Sequence, residues 1–373
     1  MNKLPLRLLI NPRAGAPGVV VLPEAGYRRA RSAITSWPGY APTKLVDLPW
    51  AAAACGVAAV RIKDESGRFG LGSFKALGGA YAVARLVGRE RVRRGVDAGS
   101  ITVTSATDGN HGRAVAWGAQ RAGCRAIIFI HATVSAGREA AIAGYGAEVR
   151  RVRGNYDDAV RACSAAAAEH GWNVVSDTSW PGYVTVPAEV MQGYRLMVDE
   201  ALAQWPAGPP PTHSFIQGGV GAVAASVSVH LRTRLDPRPL LAVVEPEHAA
   251  CLLASAELGE MTSIAGALDT VMAGLACGEP SLLAWQELER GADAFLAIPD
   301  VAAISTLRVL ARHGLTIGES GVAGLAGLLL AAADPAARAA LNLTGQSRVL
   351  LFGTEGATDP ALYAAFAAEE GPP

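Results

Sequence analysis

The chain carries no excess of either charge: 33 Lys and Arg stand against 33 Asp and Glu in 373 residues, and nothing gathers the basic residues into a stripe. Without a cationic face, nucleic acid is not expected as a partner. Apolar runs as long as a bilayer is thick are also missing. The most apolar stretch, 322–333, is short and rich in Ala and Gly, which fits a buried helix and no membrane contact. Cysteine is scarce and odd in number. Cys55, Cys124, Cys163, Cys251 and Cys277 are spaced too widely for a disulfide framework or a zinc site, so no metal is expected. A secretory signal is not read either: Leu4-Pro5-Leu6-Arg7-Leu8-Leu9-Ile10 is short, interrupted by Pro5 and Arg7, and followed by no small-residue cleavage site. A cytoplasmic location is therefore expected. No internal repeat is visible.

What the chain has in abundance is material for a core. Hydrophobic residues make up 50% and charged ones 18%, ample for one or two domains. Strand-like runs at 57–62, 100–104, 126–130, 148–152, 173–175, 214–217, 240–244 and 347–352 alternate with alanine-rich helical patterns at 78–87, 138–143, 156–169, 187–204 and 321–333. That alternation predicts an α/β protein with mostly parallel sheet flanked by helices. Trp205-Pro206-Ala207-Gly208-Pro209-Pro210-Pro211 reads as a surface connector.

Three segments carry chemistry. In Gly70-Leu71-Gly72-Ser73-Phe74-Lys75-Ala76-Leu77-Gly78-Gly79 a lone lysine stands between a hydroxyl and a glycine pair. Its amine can condense with an aldehyde, and Gly78 and Gly79 would let backbone approach something bulky, which suits pyridoxal phosphate (PLP). The polar turn Thr104-Ser105-Ala106-Thr107-Asp108-Gly109-Asn110-His111-Gly112 lies between a strand and a helical pattern, where open α/β sheets bind ligands. Asp108 there suits either catalysis or an Asx turn capping the helix. Finally, Phe215-Ile216-Gln217-Gly218-Gly219-Val220-Gly221-Ala222 ends a strand in glycines and opens a helix at about Ala222, so its backbone N–H groups can cradle a phosphate. A dinucleotide fingerprint is a poor match, because the spacing is Gly-Gly-x-Gly and the acid Glu245 simply ends the next strand.

With these segments in view, the chain resembles the diaminopropionate ammonia-lyases, a group of fold-type II PLP enzymes whose wider relatives include threonine and serine dehydratases. The matching residues run from Lys63-Asp64-Glu65-Ser66 to Thr354-Glu355-Gly356. Most specific are Thr107-Asp108-Gly109-Asn110-His111-Gly112-Arg113 and Met272-Ala273-Gly274-Leu275-Ala276-Cys277-Gly278-Glu279-Pro280, since general dehydratases usually carry serine where Asp108 stands. Asn155-Tyr156-Asp157-Asp158, Asp177-Thr178, Met191-Gln192-Gly193-Tyr194 and Gly318-Glu319-Ser320-Gly321 match as well.

The resemblance implies two domains, each with a mostly parallel twisted sheet flanked by helices: a large discontinuous PLP-binding domain, 1–86 plus 183–373, and a small mobile domain, 87–182. It implies α,β-elimination of D- or L-2,3-diaminopropionate to pyruvate and ammonia by a homodimer. Lys75 would hold PLP and take the α-proton of the L-substrate, Asp108 that of the D-substrate, and Asp177 would hold the distal amine. Phe74 would pack near the cofactor ring, Asn110 would bond its phenolic oxygen, Gly218, Gly219, Val220 and Gly221 would bind its phosphate, and Thr354 would approach its pyridine nitrogen. Cys251 and Cys277 fall where those lyases also carry cysteines, as a regulatory disulfide or as two reduced thiols.

The chain departs from the lyase pattern beside Lys75. Gly67 replaces a tyrosine, Gly72 an asparagine and Ser73 an alanine, and Ser73 makes the Ser-x-Lys arrangement of the wider dehydratases and synthases. A PLP-dependent dehydratase or β-replacement synthase acting on serine, threonine or an O-activated serine is therefore the second reading. A protein that binds PLP or an amino acid without catalysis is the third.

Overall fold

Short, largely apolar runs become the strands of two sheets in the computed structural model, which describes residues 4–107 and 109–368. Among these residues the strands are β1 (Arg7–Ile10), β2 (Lys44–Asp47), β3 (Ala59–Asp64), β4 (Thr102–Thr107), β5 (Arg125–His131), β6 (Glu148–Val152), β7 (Asn173–Val174), β8 (His213–Gln217), β9 (Leu240–Pro246), β10 (Ala294–Ile298) and β11 (Arg348–Gly353). The larger sheet runs β1-β10-β9-β8-β11-β3-β2. Its five inner strands are parallel, and β1 and β2 close the two edges antiparallel to β10 and β3. The smaller sheet, β6-β5-β4-β7, is parallel throughout.

Burial follows from this topology. β8, β10 and nearly all of β9 and β11 are buried, as strands covered by helices on both faces must be. The edge strands β1 and β2 show exposed ends instead. The core of the larger sheet gathers residues such as Val60, Ile62, Phe215, Val244, Leu296 and Leu351 with the helix Ala323–Ala333. A separate cluster around Ile127, Phe129, Ala159 and Cys163 fills the smaller one.

The described residues fall into two compact units. One is drawn from Met1–Leu22, Pro42–Gly67 and Met197–Pro373, the other from Pro23–Ala41 and Arg68–Leu196. β4 to β7 all lie within 87–182, and the other strands of the described residues all lie outside it. The second unit is nevertheless wider than 87–182. The reason is helix packing: Lys75–Arg94 lies against Asn110–Ala122, which flanks β4, and carries 68–86 into this unit. The segment 183–196 joins it through Val190, Gly193 and Tyr194 against the Lys75 helix, and 23–41 is tied to that segment, with Arg195 bonding Glu24 at 2.8 Å and Gln192 donating to the Pro23 carbonyl at 3.0 Å.

The helix that begins at Lys75 is seated by close approach. A Cβ on Gly78 would overlap Tyr194 and Val190, and one on Gly193 would overlap the Leu77 carbonyl. The glycine pair after Lys75 thus serves packing against protein, with Gly79 lying on Ala114, rather than the approach to a cofactor expected from sequence. Among the described residues no helix is long and apolar enough to cross a membrane.

Candidate active site

Lys75 is the first residue of its helix, and a cation at a helix N-terminus is unfavourable unless an anion answers it. Asp177 does so. Its Oδ2 lies 2.5 Å from Lys75 Nζ, joining residues that are 102 positions apart. Burial works against the Asp177 charge, but the adjacent Lys75, with His111 beyond it, holds the carboxyl well below the usual carboxylate range. Both side chains keep some exposure, 21% for Lys75 and 15% for Asp177, so the pair faces open space on one side.

Each member is held in place by its neighbours. Asp177 follows β7 in a turn where the Tyr183 hydroxyl accepts from the Ser176 N–H at 3.0 Å and donates to the Val174 carbonyl at 2.9 Å. His111 Nε2 meets the Val175 carbonyl at 3.0 Å. A carbonyl can only accept, so Nε2 carries the proton, and Nδ1 is turned toward Asp177 Oδ2 at 3.7 Å. On the lysine side, the buried Phe74 packs on Tyr194 with ring centroids 4.6 Å apart, and Lys75 Nζ stands 5.3 and 5.9 Å from the two rings. Burial pushes the Tyr194 phenol far up, so it stays protonated.

The turn before Lys75 is left-handed at Phe69, Gly70 and Gly72, with φ of 52, 73 and 76°. Asparagine and glycine are the residues that best tolerate such a φ, so Gly72 keeps the backbone that an asparagine would adopt. Arg113 ties this turn to the next motif by donating to the Leu71 carbonyl at 2.6 Å. In that motif Thr107 Oγ1 accepts from the N–H groups of Gly109 and Gly112 at 3.0 and 3.1 Å, which starts the helix on which Asn110 is the first residue. Asp108 lies outside the described residues.

The other expected groups belong to the unit of the large sheet. Gly218, Gly219, Val220 and Gly221 join β8 to the helix Ala222–Arg234. Gly218 is anchored by its N–H to the Val244 carbonyl at 2.7 Å. Among the described residues nothing accepts from the N–H groups of Gly219, Val220 or Gly221, although the loop is largely buried. Three successive unanswered donors at a helix N-terminus make a cradle of the right chemistry for a phosphate. Thr354 is buried just beyond β11, and its Oγ1 accepts from Gln217 Nε2. Cys251 and Cys277, both reduced, flank Gly219: Cys251 Sγ lies 3.6 Å from its carbonyl, and a Cβ on Gly219 would touch Cys277 Sγ. Burial, and Glu245 beside it, push the Cys251 thiol far up.

Glu245 has a structural task that removes it from any ribose. Its two oxygens accept from the N–H groups of Leu252 and Leu253, both at 2.8 Å, and cap the helix Cys251–Leu258 under the glycine loop. Burial raises its pKa from 4.5 to about 8 against the pull of those N–H groups. The folded protein therefore binds more protons than the unfolded chain between 4.5 and about 8, and Glu245 makes stability fall as pH rises through that window. The Tm of the wild type is expected to drop across it by several degrees more than that of Glu245→Gln, on the order of what a few kcal/mol produce. Parallel Tm curves for the two proteins would refute this.

Tyr194, Arg113 and Gln217 stand beside the candidate site residues without having been singled out from sequence, whereas His111, readable there as a cofactor or substrate contact or as a histidine bonded to nearby backbone, bonds the Val175 carbonyl. Their common signal is position: each lies within or beside a motif already singled out, but none announces its partner.

Comparison with known proteins places this geometry. The model of the pyridoxal-phosphate dependent enzyme family matches residues 36–354. The chain is 39% identical over 346 residues to the diaminopropionate ammonia-lyase of Escherichia coli (strain K12), covering 87% of each protein. It is 37% identical over 358 residues to the diaminopropionate ammonia-lyase of Salmonella typhimurium (strain LT2), covering 87% of this chain and 88% of that one. The crystal structure of the Escherichia coli diaminopropionate ammonia-lyase in complex with D-serine superposes with a TM-score of 0.91 at 35% identity, over 98% of this chain and 97% of that one. The chain belongs to the pyridoxal-phosphate dependent enzymes and, within them, to the diaminopropionate ammonia-lyase family.

Proposed function

We propose that the protein is a PLP-dependent ammonia-lyase that converts 2,3-diaminopropionate, as the D- or L-isomer or both, to pyruvate. The atoms balance with one water consumed and two molecules of ammonia released. The observation that carries the reading is the Lys75–Asp177 pair, which sets an ammonium 2.5 Å from an ionised carboxylate on a partly open surface. A second ammonium, the distal group of diaminopropionate, finds the same partner there once Lys75 turns to other work.

PLP, when bound, supplies the electron sink that acidifies the substrate α-proton. The chain's own groups do the rest. Lys75 would hold the cofactor through its amine and, when that amine is free, would take the α-proton on the L face. Asp108 takes it on the D face, a reading supported by the D-serine complex of the Escherichia coli relative. Asp177, ionised, holds the distal group as its ammonium, which leaves as ammonia with the proton it already carries. The N–H groups of Gly219, Val220 and Gly221 hold the phosphate, while Gly218, expected from sequence to share in this, spends its N–H on Val244 and anchors the loop; Asn110 bonds the phenolic oxygen and Phe74 packs beside the ring. Thr354 meets the pyridine nitrogen with a neutral hydroxyl, which favours elimination over transamination. By the same family resemblance the working form is a cytoplasmic homodimer, and 87–182 is its small mobile domain.

The test is product analysis. Purified protein with PLP bound is mixed with D- and with L-2,3-diaminopropionate, with serine and threonine in parallel, and pyruvate and ammonia are measured. Pyruvate from diaminopropionate with two ammonia for each pyruvate is expected. Turnover of serine or threonine without turnover of diaminopropionate would replace this reading with a dehydratase.

A further inference from the structure

Gln217 ends β8, immediately before the glycine loop, and only 1% of it is exposed. Its Nε2 faces three acceptors: Thr354 Oγ1 at 2.5 Å, the Phe352 carbonyl at 3.0 Å and the Gly321 carbonyl at 3.3 Å. Two of these are carbonyls, which only accept, so the amide cannot be turned over without pressing oxygen against oxygen. In this orientation Oε1 is buried with no hydrogen-bond partner. An apolar side chain would fill the same place without that desolvation cost, so packing alone does not account for a glutamine here.

The direction of the bond to Thr354 has a chemical consequence. A hydroxyl has one proton and two lone pairs. Because Gln217 donates to Oγ1, the Thr354 proton is not spent on Gln217 and points elsewhere. We propose that Gln217 is a positioning residue that sets the Thr354 hydroxyl as a hydrogen-bond donor toward the cofactor ring nitrogen, an inference that rests on the Thr354 role given above. The same residue leads into Gly218, whose N–H is anchored on Val244 at 2.7 Å. β8 and β11 are adjacent parallel strands, with Leu351 paired to Phe215. One side chain thus links the register of the phosphate loop to the direction of the hydroxyl beyond β11.

Gln217→Met, Gln217→Glu, Thr354→Val and the double variant Gln217→Met with Thr354→Val are compared with the wild type, all with PLP bound. Visible absorbance, kcat, KM and Tm are measured. Gln217→Met keeps the shape without the donor, and Gln217→Glu keeps the shape but, buried against the Phe352 and Gly321 carbonyls, is favoured as a protonated carboxyl whose one proton goes to a carbonyl, so the donor to the hydroxyl is again lost. Both are expected to shift the cofactor band in the same direction as Thr354→Val and to lower kcat roughly tenfold, the effect of one hydrogen bond, with KM little changed. The double variant should be no worse than Thr354→Val, since residues acting through one contact are not additive. A wild-type band and kcat in either folded Gln217 variant, or losses that multiply in the double variant, would overturn the positioning role. If Thr354→Val itself keeps the wild-type band and kcat, the Thr354 role falls, and this inference falls with it.

Discussion

Lys75→Ala is expected to bind PLP only reversibly and to lose at least about 10³-fold in pyruvate formation from diaminopropionate, because one substitution removes both the covalent holder and the base. Lys75→Arg separates chemistry from structure. A guanidinium stays charged at any working pH, so it neither condenses with an aldehyde nor takes a proton, yet it can still answer Asp177. Activity should therefore be as low in Lys75→Arg as in Lys75→Ala, while Tm should fall clearly only in the alanine variant, where the largely buried Asp177 carboxylate loses its cation. Substantial turnover by Lys75→Arg would show that another residue is the base.

Asp177→Asn is expected to lower kcat/KM for diaminopropionate by about 10²–10⁴-fold, the range that losing one partner of a largely buried ion pair produces. The loss should be selective. Serine lacks the distal ammonium, so binding of D- or L-serine, followed by the change in cofactor absorbance, should weaken far less. Equal losses for both ligands would reduce Asp177 to a structural partner of Lys75. The pH dependence follows from its depressed pKa: the folded state favours the ionised carboxyl, so its contribution to stability is complete above an ordinary carboxylate value and is lost as pH falls below it. Activity between pH 6 and 8 or so should accordingly show no titration of Asp177.

Much of the larger sheet could be read in the sequence because most of its inner strands are short apolar runs buried on both faces. The exceptions have physical reasons. β1 and β2 are four-residue edge strands, RLLI and KLVD, too short to show a period and stabilised by pairing with β10 and β3 rather than by their own pattern. β10, AFLAI, is an alanine-containing run that periodicity cannot tell from a piece of buried helix. In the site, Lys75 and the glycine loop stand out because their chemistry is local. The Lys75–Asp177 pair does not, since it closes over 102 residues and only the turn held by Tyr183 and His111 brings the carboxylate to the amine. Gly78 was legible as a point of close approach but not its partner, which is Tyr194.

The tight seat of the Lys75 helix also bears on how this protein can change. Gly78 and Gly193 have no room for even a methyl group, because Tyr194, Val190 and the Leu77 carbonyl occupy the space. In an exhaustive substitution library both glycines should be as intolerant as Lys75 itself, although neither touches a reacting atom. The amine then has an almost fixed address within its unit, and a lineage drifting toward a new amino acid would have to do so through the turns that present the other groups, of which the departures at Gly67 and Ser73 are two examples.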